Sequence, residues 1–275
     1  MTQAPRKIAF IGAGNMTQSI VGGMVSNGYP GHAIHVSNPS AAKLEQLQAR
    51  WQVQTSHDNA EVANVAEVIV LAVKPQLMAE VCQDLQARVP HLQDKTIVTI
   101  AAGIRLEKYA DYLGDSARVV RVMPNTPSLV GQGMSGLLAN AHVSSADRDF
   151  ITSIFQQVGD TMWLTDEDQL DIFTAIAGSG PAYFFEFMAG LQQAAVTLGF
   201  DAAEARRMVE QTALGAATMA IDSELELSEL RQQVTSKGGS TAKAIEVYQQ
   251  SQLEQISAEA VLAAVRRNQE MAKLF

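Results

Sequence analysis

Residues 7–11, 33–37, 68–73, 96–100 and 118–123 are short apolar runs rich in β-branched side chains, and each predicts a strand. Helical spacing of apolar positions separates them, over residues 15–26, 41–50 and 76–88, with Pro75 at the start of the third. The run 68–73 has no polar side chain, as expected of a strand covered on both faces. Strand and helix alternating at this spacing predict right-handed crossover units, hence a doubly wound parallel sheet with helices on both faces.

The pattern changes after Leu164. The chain becomes rich in alanine, leucine and glutamine, and helical spacing appears over residues 166–177, 182–198, 202–221, 224–233, 242–250 and 258–273. The expected division is an α/β domain over residues 1–164 and an all-helical domain over 165–275. No low-complexity linker or internal repeat separates them. Gly178-Ser179-Gly180-Pro181 reads as a break between two helices, with Pro181 in the first turn of the second. The alanine- and methionine-rich helices carry more apolar residues than one face needs, which predicts burial against another subunit.

A length of 275 residues suits two domains, and 47% apolar with 18% charged residues are globular values. The net charge of -9 argues against a nucleic-acid partner. Cys82 is the single cysteine, which excludes an internal disulfide, fits a reducing compartment and predicts a small buried side chain on a helix. The N-terminal residues have no signal-peptide apolar core, and no apolar run approaches the ~20 residues that cross a bilayer. The expectation is a soluble cytoplasmic protein without membrane partners.

Chemistry enters at the first strand–helix turn, Ile11-Gly12-Ala13-Gly14-Asn15-Met16-Thr17. Gly12 permits a tight turn, and Gly14 lets a pyrophosphate approach the backbone at a helix N-terminus, the arrangement of a dinucleotide loop. Thr17 replaces the usual third glycine, which predicts a helix set slightly further from the strand. The second strand ends in Ser37-Asn38-Pro39-Ser40, without the carboxylate that accepts ribose hydroxyls in NAD-preferring sites. Ser37, Asn38 and Ser40 can donate to a 2′-phosphate, so NADPH is favoured, with NADH the weaker alternative.

The second feature is Val234-Thr235-Ser236-Lys237-Gly238-Gly239-Ser240-Thr241, between two helical segments. Paired glycines, flanking hydroxyls and a helix start at Ser240 or Thr241 suit a small anion. The amides around Gly239 to Thr241 are candidates for a substrate carboxylate. The Thr241 hydroxyl is the candidate catalytic group, a hydrogen-bond partner for a developing amine nitrogen.

These two loops, with Leu71-Ala72-Val73-Lys74-Pro75-Gln76, Ile100-Ala101-Ala102-Gly103, Arg121-Val122-Met123-Pro124-Asn125-Thr126-Pro127 and Gly178-Ser179-Gly180-Pro181-Ala182-Tyr183, make the chain resemble the pyrroline-5-carboxylate reductase family from end to end. The resemblance implies a Rossmann-type domain followed by an all-α dimerisation domain. It implies reduction of 1-pyrroline-5-carboxylate to L-proline by NAD(P)H, the last step of proline biosynthesis. It also implies a homodimer or higher homo-oligomer, with the tail loop completing the site beside a partner's cofactor domain. By the same resemblance, Ile11, Gly12, Ala13, Gly14, Asn15 and Met16 hold the pyrophosphate, and Asn38 meets the adenosine ribose phosphate. Asn59, Ala72, Val73, Lys74, Pro75, Ile100, Ala101 and Ala102 follow along the cofactor. Thr235 and Ser236 lie near the nicotinamide, and Glu224, Ser240 and Thr241 contact the imino acid. One departure is Lys237, where the family usually has proline; it leaves the loop freer and adds a cation.

Other readings remain open. Lys74 is either a catalytic acid or part of a backbone wall, and Pro124 to Pro127 either a turn closing the sheet edge or a nicotinamide wall. His32, His35, His57, His91 and His142 are read as solvated or structural, and metal-ligand spacing is absent. Alternative functions on the same plan are a reductase for another small cyclic imine, or a β-hydroxyacid dehydrogenase using Lys237 or Lys243. A non-catalytic nucleotide-sensing module is the rival from another class.

Overall fold

A computed structural model describes residues 4–274. The chain runs β1 (Ile8–Ile11), α1 (Asn15–Ser26), β2 (Ile34–Ser37), α2 (Ala41–Trp51), β3 (Gln54–Ser56), α3 (Asn59–Val65), β4 (Val68–Leu71), α4 (Met78–Arg88), β5 (Thr96–Thr99), α5 (Leu106–Leu113), β6 (Arg118–Met123), β7 (Gly133–Ala139), α6 (Ser145–Phe155), β8 (Gly159–Trp163) and α7 (Glu167–Phe173). The strands form one sheet in the order β3-β2-β1-β4-β5-β6-β7-β8. Pairing is parallel except between β6 and β7.

Alternation along each buried strand builds two cores. In β1, Ile8 and Phe10 join one face with Ile20, Val21 and Met24 of α1, while Ala9 and Ile11 join the other with Met78, Cys82 and Leu85 of α4. Cys82 is fully buried, and burial pushes its thiol up to about 12, so it is an inert packing group. Of the two readings of Pro124 to Pro127, the turn that closes the sheet edge is corrected: the sheet continues through β7 and β8. Their sequences hide them, because β7 is glycine-bearing and β8 is polar and only half-buried. A Cβ on Gly136 would lie 2.6 Å from the Phe173 ring, so glycine is what lets α7 pack on β7.

Compactness divides the chain elsewhere than composition does. The first unit extends to Ser179 and resumes at Ala264; the second is Gly180–Ala263. The expected boundary at 164 falls just after β8. Leu170 and Phe173 of the next helix, however, share a core with Met123 and Leu138 of the sheet.

The second unit comprises α8 (Gly180–Thr197), α9 (Ala202–Ile221), α10 (Leu227–Gln233), α11 (Ser240–Gln250) and the first part of α12 (Leu253–Ala272). Its buried residues, among those described, are Gly180 and Ala205. Phe184 and Phe185 are 72% and 66% exposed, beside exposed Phe187, Leu191, Leu214 and Met219, so the helices of this unit leave broad apolar faces uncovered. Among the described residues no helix is long and apolar enough to cross a membrane.

Candidate functional site

The glycine loop leaves β1 through Gly12, whose φ of 110° only glycine adopts readily. Its amide donates to the Ser37 carbonyl at 2.8 Å, and the Ala72 amide donates to the Ile11 carbonyl at 2.9 Å, which draws the ends of β1, β2 and β4 together. Gly14 is the N-cap of α1 and contributes no side-chain cap, so the first-turn amides have no protein partner from that position. A Cβ on Gly14 would meet nothing within 4 Å, so the space above the helix start is open. Open space, bare amides and the positive end of the α1 dipole together fit a pyrophosphate. Thr17 does more than stand in for the third glycine. It is fully buried, and its hydroxyl donates to the Gly12 carbonyl at 2.8 Å, locking the loop to the helix.

At the end of β2 the three candidate donors differ. Ser37 is buried and its hydroxyl donates to Asn59 Oδ1 at 2.7 Å, which orients Asn59 at the start of α3 rather than offering a donor outward. Asn38 Oδ1 accepts the Ala13 amide at 3.1 Å, tying the strand end to the glycine loop. Ser40 is exposed.

Further along the sheet, Ala72 and Val73 follow β4 and are half-buried. Lys74 is exposed, and its carbonyl accepts from Leu77 in the single 3-10 turn that Pro75 opens. The Ile100 amide donates to the Leu71 carbonyl at 3.2 Å, carrying the β5 end alongside β4. Ala101 is buried and Ala102 exposed. Two residues that carried no sequence signal hold this turn. Thr99 Oγ1 lies 2.6 Å from the Tyr109 hydroxyl and accepts the Ala101 amide, and burial, as the main cause, holds the Tyr109 hydroxyl above its usual range.

Asn125, within the Pro124 to Pro127 segment, has a holding role that its sequence does not show. Its Nδ2 donates to the Ala177 carbonyl and its Oδ1 accepts the Met134 amide, both at 2.9 Å. Ala177 lies in a π-helical turn, Thr174–Gly178, between α7 and α8. The Pro124 to Pro127 segment is thereby pinned to irregular helix, a feature that concentrates at functional sites.

In the second unit, α10 is capped by Val234, and the Thr235 hydroxyl donates back to the Arg231 carbonyl. The turn that follows is closed by the Gly239 amide donating to the Ser236 carbonyl at 3.0 Å, with Gly238 at φ 75°. Lys237 keeps a negative φ, so it occupies the turn position that proline favours, and the hydrogen bond closes the turn without proline. Gly239 is the N-cap of α11 with no side-chain cap, and Ser240 and Thr241 form its first turn. Its amides, like those of α1, lack intrahelical carbonyls. Glu224 is exposed in the connection between α9 and α10.

Comparison with known proteins gives the family. Residues 167–271 match the family model described as pyrroline-5-carboxylate reductase dimerisation, and residues 7–103 match one described as NADP oxidoreductase, coenzyme F420-dependent. Pyrroline-5-carboxylate reductase of Vibrio alginolyticus is 48% identical over 271 residues, covering 98% of this chain and 99% of that one. The Pasteurella multocida protein of the same name is 44% identical over 274 residues, with 98% and 99% covered. Among solved structures, a pyrroline-5-carboxylate reductase from Coxiella burnetii superposes with a TM-score of 0.94 at 40% identity, covering 98% of this chain and 99% of that one. Pyrroline carboxylate reductase from Plasmodium falciparum, solved with NADP bound, gives 0.84 at 28% identity, with 97% and 98% covered.

Proposed function

The chain belongs to the pyrroline-5-carboxylate reductase family, and on that premise we propose that it reduces 1-pyrroline-5-carboxylate to L-proline, the last step of proline biosynthesis, with NAD(P)H as reductant and NADPH preferred. The observation that carries the reading is the open cradle over Gly14, beside a Gly12 whose φ and close approach to Ala72 favour glycine.

The first unit supplies the cofactor contacts. The Gly12 to Met16 loop holds the pyrophosphate through the amides at the start of α1, while the Gly12 and Ala13 amides, engaged with Ser37 and Asn38, shape the loop, and Asn38 and Ser40 meet the adenosine ribose phosphate. Asn59, positioned by Ser37, follows with Ala72 to Pro75 and Ile100 to Ala102 along the nucleotide. The bound cofactor supplies a hydride to the C=N carbon. Lys74 acts here through its backbone, since its carbonyl anchors the turn that Pro75 begins.

The second unit supplies the substrate contacts. The amides at the start of α11 hold the carboxylate, with Ser240 assisting, and the Thr241 hydroxyl bonds the ring nitrogen as it becomes an amine. The imine arrives protonated from water, so no strong acid is needed. Glu224 and Ser236 complete the imino-acid and nicotinamide surroundings. The Thr235 hydroxyl proton is committed to Arg231, so Thr235 contributes as an acceptor or through its methyl group.

The uncovered apolar faces of α8 and α9 support a homo-oligomer built through the helical unit, and the lone, inert cysteine supports a cytoplasmic setting. Chiral analysis of the product tests the reaction: L-proline forming in step with NADPH oxidation supports it, and oxidation without proline refutes it.

A further inference from the structure

The 2′-phosphate of NADPH is a dianion, and dinucleotide folds that select it usually place an arginine beside the second strand. Here β2 ends in Ser37-Asn38-Pro39-Ser40, which carries no charge, and the Ser37 hydroxyl is turned inward to Asn59. The neighbouring strand supplies what is missing. β3 pairs with β2 in register, Ser56 opposite Ser37, so the next residues, His57 and Asn38, leave the sheet side by side. His57 Nδ1 lies 3.0 Å from the Asn38 carbonyl oxygen, and the His57 ring is exposed. Asn38 in turn accepts the Ala13 amide, so one short chain of contacts runs from the glycine loop to the imidazole.

A carbonyl oxygen only accepts, so Nδ1 carries the proton in this contact and Nε2 is the nitrogen left for a ligand. A second proton on Nε2 gives an imidazolium, which can donate a charge-assisted bond to a phosphate oxygen. The neighbouring carboxylates are already engaged. Asp58, the N-cap of α3, is paired with Arg88 of α4, and Glu61 of α3 accepts the Ser56 hydroxyl. We propose that His57 is the residue that discriminates NADPH from NADH in this chain, its imidazole bonding the 2′-phosphate from the end of β3. The inference rests on the cofactor reading above, and it assigns to one of the solvated-looking histidines a specific ligand atom.

The test uses fragments as well as cofactors, so that it does not depend on turnover. Dissociation constants for adenosine 2′,5′-bisphosphate and for 5′-AMP are measured on wild type, His57→Ala, His57→Arg and Lys43→Ala, with KM for NADPH and NADH beside them. Lys43 is the control because it is the exposed cation in the first turn of α2. The expected result for His57→Ala is about tenfold weaker binding of the bisphosphate and a similar rise in KM for NADPH, the low end for a charged hydrogen bond. Binding of 5′-AMP, KM for NADH, kcat and melting temperature stay within about twofold or a degree or two, and His57→Arg restores the preference. A parallel loss of both nucleotides, no loss, or a loss confined to Lys43→Ala overturns the assignment. Absence of pyrroline-5-carboxylate reduction with the fragment preference intact would refute the proposed reaction and leave His57 in place.

Discussion

A Cβ on Gly12 would sit 2.6 Å from the Ala72 carbonyl oxygen, closer than real side chains approach backbone. The contact joins the turn after β1 to the end of β4 and explains why glycine is needed there twice over, for space and for φ. Gly14, two residues later, has an ordinary φ of -73° and nothing within 4 Å. The two glycines therefore separate folding from binding. Gly12→Ala is expected to cost roughly 1–3 kcal/mol of stability from strain and clash. Gly14→Ala is expected to leave the melting temperature nearly unchanged and to weaken NADPH binding, because its methyl group enters the open space over the helix start. Thermal unfolding and NADPH titration on both variants check this pair.

Thr241 and Lys243 separate the proposed chemistry from the lysine-dependent dehydrogenase alternative. Lys243 is exposed and pairs with Glu246 three residues on, at 2.9 Å, an ordinary helix-surface ion pair. Thr241→Ala is expected to lower kcat/KM for pyrroline-5-carboxylate about 10–100-fold, the loss of one ~1–3 kcal/mol hydrogen bond, while Thr241→Ser retains most activity. Lys243→Ala is expected to be nearly silent. Abolished turnover in Lys243→Ala with a silent Thr241→Ala would favour the alternative.

The ion pair between buried Arg121 of β6 and Glu167 of α7 holds that helix to its sheet. Glu167 also accepts the Leu106 amide through its other oxygen, at 2.7 Å. Glu167→Ala leaves Arg121 buried without its partner and is expected to destabilise by about 3–5 kcal/mol. Glu167→Gln keeps only one of the two acceptor oxygens and loses the charge, so it is expected to recover only part of that loss. Denaturant unfolding measures the difference.

Asp147 gives a pH signature. Burial opposes its ionisation, but the Ser144 hydroxyl and Arg6, at 2.7 and 2.8 Å, outweigh it and hold the carboxyl below its usual value. A folded-state pKa below the unfolded one stabilises above the unfolded value, near ~3.9, and that stabilisation is lost as pH falls through the folded value. Wild type is therefore expected to exceed Asp147→Asn in melting temperature at neutral pH, with the gap closing from roughly pH 4 downward. A gap independent of pH would contradict this source of stability.

The parts of the fold legible in the sequence were those in which one segment carries its own signal. Val68 to Leu71 announces a doubly covered strand, Gly12 and Gly14 a dinucleotide turn, and the Gly238-Gly239 pair the start of α11. What stayed hidden depends on partners distant in sequence. Gln54 to Ser56 is too short and polar to predict a strand, and forms one because β2 offers an edge. Asn125 reads as a turn residue until Ala177, 52 positions away, accepts its amide. Ser37 looks like an outward donor because the sequence cannot show Asn59 lying behind it.

The central claim is that this chain reduces a five-membered cyclic imino acid with NADPH. Initial rates of NADPH oxidation with 1-pyrroline-5-carboxylate, run beside piperideine-6-carboxylate and repeated with NADH, test it most directly. Turnover is expected with both cofactors, with higher kcat/KM for NADPH and for the five-membered ring. NADPH that binds but is never oxidised by pyrroline-5-carboxylate, or clear preference for the six-membered ring, would contradict it.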